Sequence, residues 1–228
     1  MYENTIDKLA FHFPYIENTC LAWKNNLDLA VPLSIEKNNS LINAGDGDFN
    51  FYFIEDGIFQ IKYYSSQGKS RGITCFGKNT LICLASSYLQ LDNTATSVYC
   101  IRKGKVWRFD GKLLSDVLFH QKYPDLANEV IKQLSTNLLI HITYTTSMLL
   151  EPPYERTIFY LLAIDRERQN NSYLPRFTQQ EMAEMLNMHR VTLVNILQCL
   201  KKDGLIALNQ HEIHILDRDA LIKKVIPS

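Results

Sequence analysis

The side chains best suited to chemistry lie on one side of a short predicted helix near the C-terminal end. They are His189, Arg190, Thr192, Asn195 and Gln198. Such groups form hydrogen bonds with base edges and phosphates, and a helix of this width fits the major groove of DNA. The opposite side of this helix is predicted to be buried, because apolar residues recur there at helical spacing: Leu193, Leu197 and Leu200. The pattern favours DNA binding, and the alternative is an ordinary helical hairpin with a solvated polar face.

Two helices and a strand pair are predicted to position this face. Thr178 and Glu181 have the spacing of a capping box, which predicts that the first helix begins after Thr178. Asn187 tolerates the left-handed backbone of a tight turn, and the second helix then runs from about Arg190 to Gly204. Two short strands are predicted at 205–208 and 211–216. The segment therefore has the order helix, turn, helix, wing.

This segment resembles the DNA-binding end of the Crp/Fnr superfamily of bacterial transcription regulators. The matching residues are 178–183, 190–193, 196–197 and 200–206. The start of the second helix, 189–192, is most similar to regulators of organohalide respiration. The resemblance implies a homodimer that binds double-stranded DNA at a palindromic operator, with RNA polymerase as a possible further partner.

The predicted DNA-binding residues follow from this resemblance and from the polar face. They are Thr178, Gln179, Gln180, His189, Arg190, Val191, Thr192, Asn195 and Gln198. The family often has Glu at the position of Val191 and Arg at the position of Asn195, and both commonly contact bases. We therefore expect a different DNA sequence preference, in which Val191 contacts a thymine methyl group and Asn195 pairs with adenine.

Composition limits the class of protein. The chain has 228 residues, of which 46% are hydrophobic, and its 24 basic and 24 acidic residues give no net charge. A net charge of zero is not typical of proteins that bind nucleic acid non-specifically, so we expect few phosphate contacts per subunit. We also expect a dimer, because two weakly binding subunits together bind more tightly. No run approaches the roughly 20 apolar residues of a membrane span, and the N-terminus is unlike a signal peptide. Five scattered cysteines without C-x-x-C spacing predict a reducing cytoplasm, with no disulfide framework or structural zinc.

Residues from about 40 to 107 carry the pattern of short strands separated by glycine-containing turns. Residues 51–54 and 58–64 predict strands on either side of a turn at 55–57, and 69–76 predicts another strand. This segment resembles the β-roll effector domain of the same superfamily. The predicted fold is α+β, with an antiparallel β-roll, a long dimerisation helix and a winged helix-turn-helix.

The resemblance also bears on the effector. Cyclic-nucleotide binders of the superfamily use a Glu for the ribose and an Arg for the cyclic phosphate, but residues 77–101 contain neither type. An unpaired phosphodiester would be costly to bury there, so an uncharged small molecule is expected instead. The candidate effector-binding residues are Leu81, Leu84, Tyr88, Asn93, Thr94, Thr96, Asn137, His141 and Tyr144. The alternative is that these side chains only fill the roll and that no effector exists.

A long helix is predicted from Pro124 to the Pro152-Pro153 pair. Leu126, Val130, Leu134, Leu138, Ile142 and Leu149 recur along it at helical spacing. Such a stripe predicts a coiled-coil-like dimer interface, unless the helix packs against its own domain. The predicted domains are 1–123 for the sensor, 124–151 for the dimerisation helix and 152–228 for the DNA-binding domain.

Motifs of common enzymes and metal sites are absent from the sequence, which has no G-x-S-x-G, H-E-x-x-H, P-loop or G-x-G-x-x-G. We therefore expect neither catalysis nor a metal or cofactor. A second hypothesis is a small-molecule or redox-sensing protein, using Cys75, Cys83 or Cys100, whose helix-turn-helix makes protein contacts rather than DNA contacts.

Overall fold

The computed structural model describes residues 12–91, 95–169, 176–209 and 212–225. One compact unit comprises residues 15–138, and the other joins the described residues up to Pro14 with those from Leu139 onward. The predicted α+β fold is confirmed: a sheet-rich N-terminal part, a long helix and a C-terminal helix-turn-helix follow each other along the chain. The predicted domains treated the long helix as a separate part, whereas the two packing units divide that helix between Leu138 and Leu139.

The sheet of the first unit is organised around two long antiparallel strands, β4 and β7. The strands are β1 (Tyr15–Ile16), β2 (Val31–Ile35), β3 (Ser40–Ile42), β4 (Phe51–Tyr64), β5 (Ser70–Phe76), β6 (Thr80–Ile82) and β7 (Thr96–Phe109). The strand order is β1-β5-β4-β7-β2, with β3 beside β7 and β6 beside β4. The pairing is antiparallel except between β1 and β5, which run parallel.

The turn predicted at 55–57 is wrong, because β4 continues through it as one strand. The register with β7 shifts between Ile54 and Phe59, so the strand bends there without ending. Gly57 has a φ of +94°, and a Cβ atom at this position would lie 2.5 Å from the Cα atom of Gly104. Glycine is therefore required by the close approach of the two strands rather than by a turn.

The core of the first unit lies between the sheet and the start of the long helix. Trp23 packs edge-to-face against Phe51 and Phe109, with ring centroids 5.3 and 5.0 Å away. Its indole Nε1 donates to the carbonyl oxygen of Leu126, 3.3 Å away. The carboxylate of Glu129 accepts from the backbone N–H of Ala22 at 3.0 Å. The aromatic core thus fixes the first turns of this helix.

Three helices belong wholly or partly to this unit. They are α1 (Leu84–Leu89), α2 (Val117–Lys122) and α3 (Pro124–Leu150). Helix α3 begins at the predicted proline and ends before the Pro152-Pro153 pair, as the sequence predicted. Like the other helices in the described ranges, α3 is not apolar enough along its length to cross a membrane.

After α3, the described residues of the second unit form four helices and a two-stranded wing. The elements are α4 (Pro153–Gln169), α5 (Gln179–Met185), α6 (Arg190–Lys202), β8 (Ile206–Leu208), β9 (Ile213–Ile215) and α7 (Arg218–Val225). The wing is antiparallel, with Ile206 opposite Ile215 and Leu208 opposite Ile213. Buried side chains of α4, α5, α6 and α7 form its core, among them Ile158, Leu162, Met182, Leu197 and Leu221.

Candidate nucleic-acid interface

The capping box predicted at the start of α5 is present. The hydroxyl of Thr178 accepts from the backbone N–H of Glu181 at 3.2 Å. The carboxylate of Glu181 accepts from the backbone N–H of Thr178 at 2.7 Å. Two backbone donors at the helix start are therefore satisfied, and Gln179 and Gln180 are held at a defined position.

The turn between α5 and α6 uses the residue types that the sequence suggested. Asn187 adopts the left-handed conformation, with φ of +49°, and the side chain of Met188 is buried. The turn also has a partner that the sequence did not reveal. The guanidinium of buried Arg156 donates to the carbonyl oxygens of Glu151, at 3.0 Å, and Asn187, at 3.5 Å. Arg156 thus connects the turn to the residues just before α4.

Helix α6 presents the predicted polar face to solvent. Leu193, Leu197 and Leu200 are buried, as their spacing predicted. The predicted DNA-binding side chains lie on the other faces: His189, Arg190, Val191, Asn195 and Gln198 are exposed, and Thr192 is half-buried. Val191 is 68% exposed, so its methyl groups are accessible from solvent.

Arg190 and Gln179 bring the starts of α5 and α6 together. The Arg190 guanidinium donates to the side-chain oxygen of Gln179 over 3.4 Å. Both residues line a cleft of about 800 Å³ within this unit, between the wing and the helices. The cleft also contains two arginines that the sequence analysis did not select, Arg168 and Arg176. The signal was available for Arg176, a cation two residues before the Thr178 cap.

A carboxylate and a backbone carbonyl of the wing hold these two arginines at the cleft. Arg176 forms an ion pair with Glu212 at 2.9 Å, and the same carboxylate lies 3.3 Å from Nε2 of His214. Arg168 donates to the carbonyl oxygen of Ile213 at 2.8 Å. The wing therefore orients cations at the edge of the cleft, next to the capped start of α5.

The predicted effector-binding residues are distributed over different environments. Leu81 and Leu84 are buried in the cluster around Trp23, where they fill the core of the first unit. Tyr88 is exposed, Thr96 lies at the start of β7, and Asn93 and Thr94 fall outside the described residues. On α3, Asn137 accepts from the side-chain amide of Gln133 at 2.8 Å. Burial lowers the pKa of the His141 imidazole, and Tyr144 is half-buried.

An open cavity of about 920 Å³ on the first unit is formed by other residues. Its lining is Leu29, Val31, Asp46, Gly47, Asp48, Phe49, Asn50, Gln90, Arg108, Asp110 and Lys112. This lining carries both carboxylates and cations beside its apolar side chains, whereas the sequence suggested a neutral pocket.

The predicted dimer stripe divides into two groups. Leu126 is only 2% exposed and lies in the core around Trp23, and Val130 and Leu134 pack against that core. These three therefore correct the prediction, because their side chains are used within the protomer. Leu138, Ile142 and Leu149 are exposed, by 60%, 53% and 77%, and Ile131 joins them at 64%.

A sheet-rich unit, a long helix with an exposed apolar face and a winged helix-turn-helix follow one another along the chain. Residues 155–224 match the family model of the Crp-like helix-turn-helix domain. The predicted resemblance of this segment to the DNA-binding end of the Crp/Fnr superfamily is thereby confirmed.

Solved structures with this fold cover most of the chain. CprK complexed with OCPA is 15% identical, with a TM-score of 0.72 over 92% of this chain and 97% of that chain. A CooA mutant from Carboxydothermus hydrogenoformans is 15% identical, with a TM-score of 0.73 over 89% and 90%. CLP from Xanthomonas campestris, described as c-di-GMP responsive, is 14% identical, with a TM-score of 0.71 over 86% and 98%. Identities this low show the shared fold alone, and no curated protein matches the chain by sequence.

Proposed function

We propose that the protein is a dimeric transcription regulator that binds a palindromic operator sequence-specifically and responds to a small-molecule effector. The observation that carries this proposal is the exposed face of α6, where Arg190, Val191 and Asn195 stand opposite three buried leucines. A helix anchored in this way can enter the major groove without disturbing its own core. The operator would lie on cytoplasmic DNA, with RNA polymerase as a further partner.

The contacts with DNA divide into two kinds. Val191 and Asn195 are the residues proposed to contact bases, because one offers methyl groups and the other a side-chain amide. Thr178, Gln179 and Gln180, at the capped start of α5, are proposed to contact the phosphate backbone and to fix the register. We add Arg168 and Arg176 to this second group, since both line the same cleft.

The proposed dimer interface is the exposed half of the stripe on α3. Ile131, Leu138, Ile142 and Leu149 follow one another at spacings of seven, four and seven residues, which is the repeat of a coiled-coil seam. Each of these side chains is more than half exposed in the protomer. Pairing with the same face of a second copy would remove this apolar surface from water.

The effector is proposed to be an uncharged small molecule bound by the first unit. Residues 77–101 offer neither the Glu nor the Arg with which related regulators hold a cyclic nucleotide. CprK and CLP, which share the fold, are described with different ligands, OCPA and c-di-GMP. Of the candidate contacts, Tyr88 and Thr96 keep accessible side chains, whereas Leu81 and Leu84 serve the core.

The test is fluorescence anisotropy of the purified protein on DNA from upstream of its own gene, at several salt concentrations, against scrambled DNA. Tight binding that depends on sequence, with one dimer bound per site, is the expected result. A thermal-shift screen of neutral aromatic compounds, cyclic AMP and cyclic GMP supplies candidate effectors for a second round of binding measurements. Weak and equal binding to both DNAs, with and without these candidates, would contradict the proposal. That result would favour a helix-turn-helix used for protein contacts.

A further inference from the structure

The residues just before the β-roll are packed into the unit that carries the helix-turn-helix. Phe13 is only 3% exposed, and its ring meets Tyr160 of α4 edge-to-face with centroids 5.5 Å apart. A second edge-to-face contact joins Phe13 to Phe177 at 6.1 Å. The neighbouring His12 stacks on Phe159 of α4 at 4.8 Å, and burial lowers the pKa of its imidazole to about 4. His12 and Phe13 are thus part of the folded second unit.

Phe177 is the residue through which this packing reaches the DNA-facing side chains. It directly precedes Thr178, whose hydroxyl and backbone N–H form the two capping hydrogen bonds of α5. The first residue of α5 is Gln179, which accepts from Arg190. A short chain of contacts therefore runs from Phe13 through Phe177 and the cap to the start of both helices of the motif.

The cleft beside this chain of contacts gives Phe13 a second connection. Phe13, Phe177 and Tyr160 form part of its wall, and Gln179, Gln180 and Arg190 line the same space. An aromatic ring removed from this wall would leave the Phe177 side chain without support on one side. Because Phe177 and Thr178 are consecutive, any movement of that ring is transmitted to the cap.

We propose that Phe13 is a positioning residue for DNA recognition. It holds Phe177, and so the capped start of α5, in the place from which Gln179 and Gln180 contact the phosphate backbone and Gln179 orients Arg190. This inference rests on the proposed DNA-binding function. It assigns Phe13 a part in operator binding, although its side chain is not among the proposed DNA contacts.

The experiment compares wild type, Phe13→Ala, Phe13→Leu and the control Leu21→Ala, which changes an exposed side chain nearby in sequence. Affinity for the mapped operator and for scrambled DNA is measured by anisotropy at several salt concentrations. Phe13→Ala is expected to weaken operator binding about tenfold, a size typical of coupling between packed residues. The slope of log affinity against log salt should stay unchanged, because no cation is lost. Phe13→Leu should recover part of the affinity, since leucine fills much of the same space.

A merely structural role would give a different pattern. It would lower thermal stability and leave DNA binding unchanged below the melting temperature, and this result would overturn the inference. If Phe13→Ala does not fold, operator affinity is compared between wild type and Phe13→Leu instead. The expected loss of affinity is then smaller than tenfold.

Hydrogen exchange separates this inference from the proposed function. The backbone amides of Glu181 and Met182, which bond to the Thr178 side chain and carbonyl, should exchange faster in the Phe13 variants than in wild type and Leu21→Ala. Unchanged exchange at these amides would overturn the positioning role whatever the DNA affinity. Wild-type protein that binds operator and scrambled DNA equally would instead count against the proposed function, while this exchange measurement still decides the role of Phe13.

Discussion

Single side chains of the second unit divide into those that we propose contact DNA and those that hold the helices in place. Arg190, Val191 and Asn195 are exposed and belong to the first kind. Arg156 belongs to the second kind, because it is buried and its guanidinium donates to the backbone carbonyl oxygens of Glu151 and Asn187. Substituting the first kind should change affinity with little effect on folding, and substituting the second should do the reverse.

Arg190→Ala should weaken specific binding by about 1–3 kcal/mol, the usual loss when an arginine contacting a base or phosphate is removed. The measurement is operator affinity by anisotropy, with Lys202→Ala as control, since Lys202 is an exposed cation at the other end of α6. Both substitutions remove one positive charge, so the control separates the effect of net charge from that of a specific Arg190 contact. Equal losses in the two variants would mean that only net charge matters and that Arg190 has no specific contact.

Arg156→Ala should lower the stability of the second unit by about 1–3 kcal/mol, because the carbonyl oxygens of Glu151 and Asn187 lose their charged donor. Urea unfolding followed by circular dichroism measures the helices. Both tryptophans, Trp23 and Trp107, lie in the first unit, so their fluorescence provides an internal control. An unchanged dichroism midpoint would show that water replaces Arg156 at no cost.

Cysteine reactivity should follow burial. Burial raises the pKa of the Cys20 thiol to about 12 and that of Cys100 to about 11, so neither forms much thiolate at neutral pH. Cys199 is exposed on α6. Brief alkylation of the native protein with iodoacetamide at pH 7.5, followed by peptide mass spectrometry, should label Cys199 well before Cys20 and Cys100. Rapid labelling of Cys100 would revive the redox-sensing hypothesis.

Helix α3 is an element with two uses on different faces. Its early turns are held inside the protomer, by the Leu126 carbonyl and by Glu129, while a separate apolar stripe faces solvent. The offset arises because the helix rotates about 100° per residue, so that Val130 and Ile131 face different directions. One helix can therefore complete the core of its own unit and still present a seam to a second copy.

Ile142→Asp should dissociate the proposed dimer, because a carboxylate would be desolvated in the middle of the apolar seam. Sedimentation velocity over a range of concentrations measures the mass. Lys132→Asp is the matched control, since Lys132 is exposed but lies about 100° around the helix from Ile131. A wild-type protein that sediments as a monomer at all concentrations would exclude the seam as an interface.

Across the whole molecule, the features that could be predicted from the sequence are those that depend on residues close together in the chain. The Thr178–Glu181 cap and the Leu193, Leu197 and Leu200 face of α6 were predicted, because both depend on residues one or two turns apart. Leu126 was assigned to the wrong surface because its environment is set by Trp23, about a hundred residues earlier in the chain. Features that depend on distant partners carry no local signal.

The same reason explains two other differences. Residues 55–57 have the composition of a turn, but their conformation is set by the close approach of Gly104 on the neighbouring strand. Arg168 was overlooked as a candidate because its place at the cleft depends on the hydrogen bond to the carbonyl oxygen of Ile213 in the wing. The helix-turn-helix could be predicted almost completely, whereas the surroundings that support it could not.

The packing of Phe13 against α4 and Phe177 has a consequence for the order of events during synthesis. Phe13 leaves the ribosome before the β-roll, but its partners Tyr160 and Phe177 are translated only after the roll and the long helix. The roll can fold as soon as it emerges, since domains generally fold as units during translation. Phe13 therefore cannot reach both partners until translation has passed Phe177. Its packing is thus a late event, which follows the synthesis of the whole roll and the long helix.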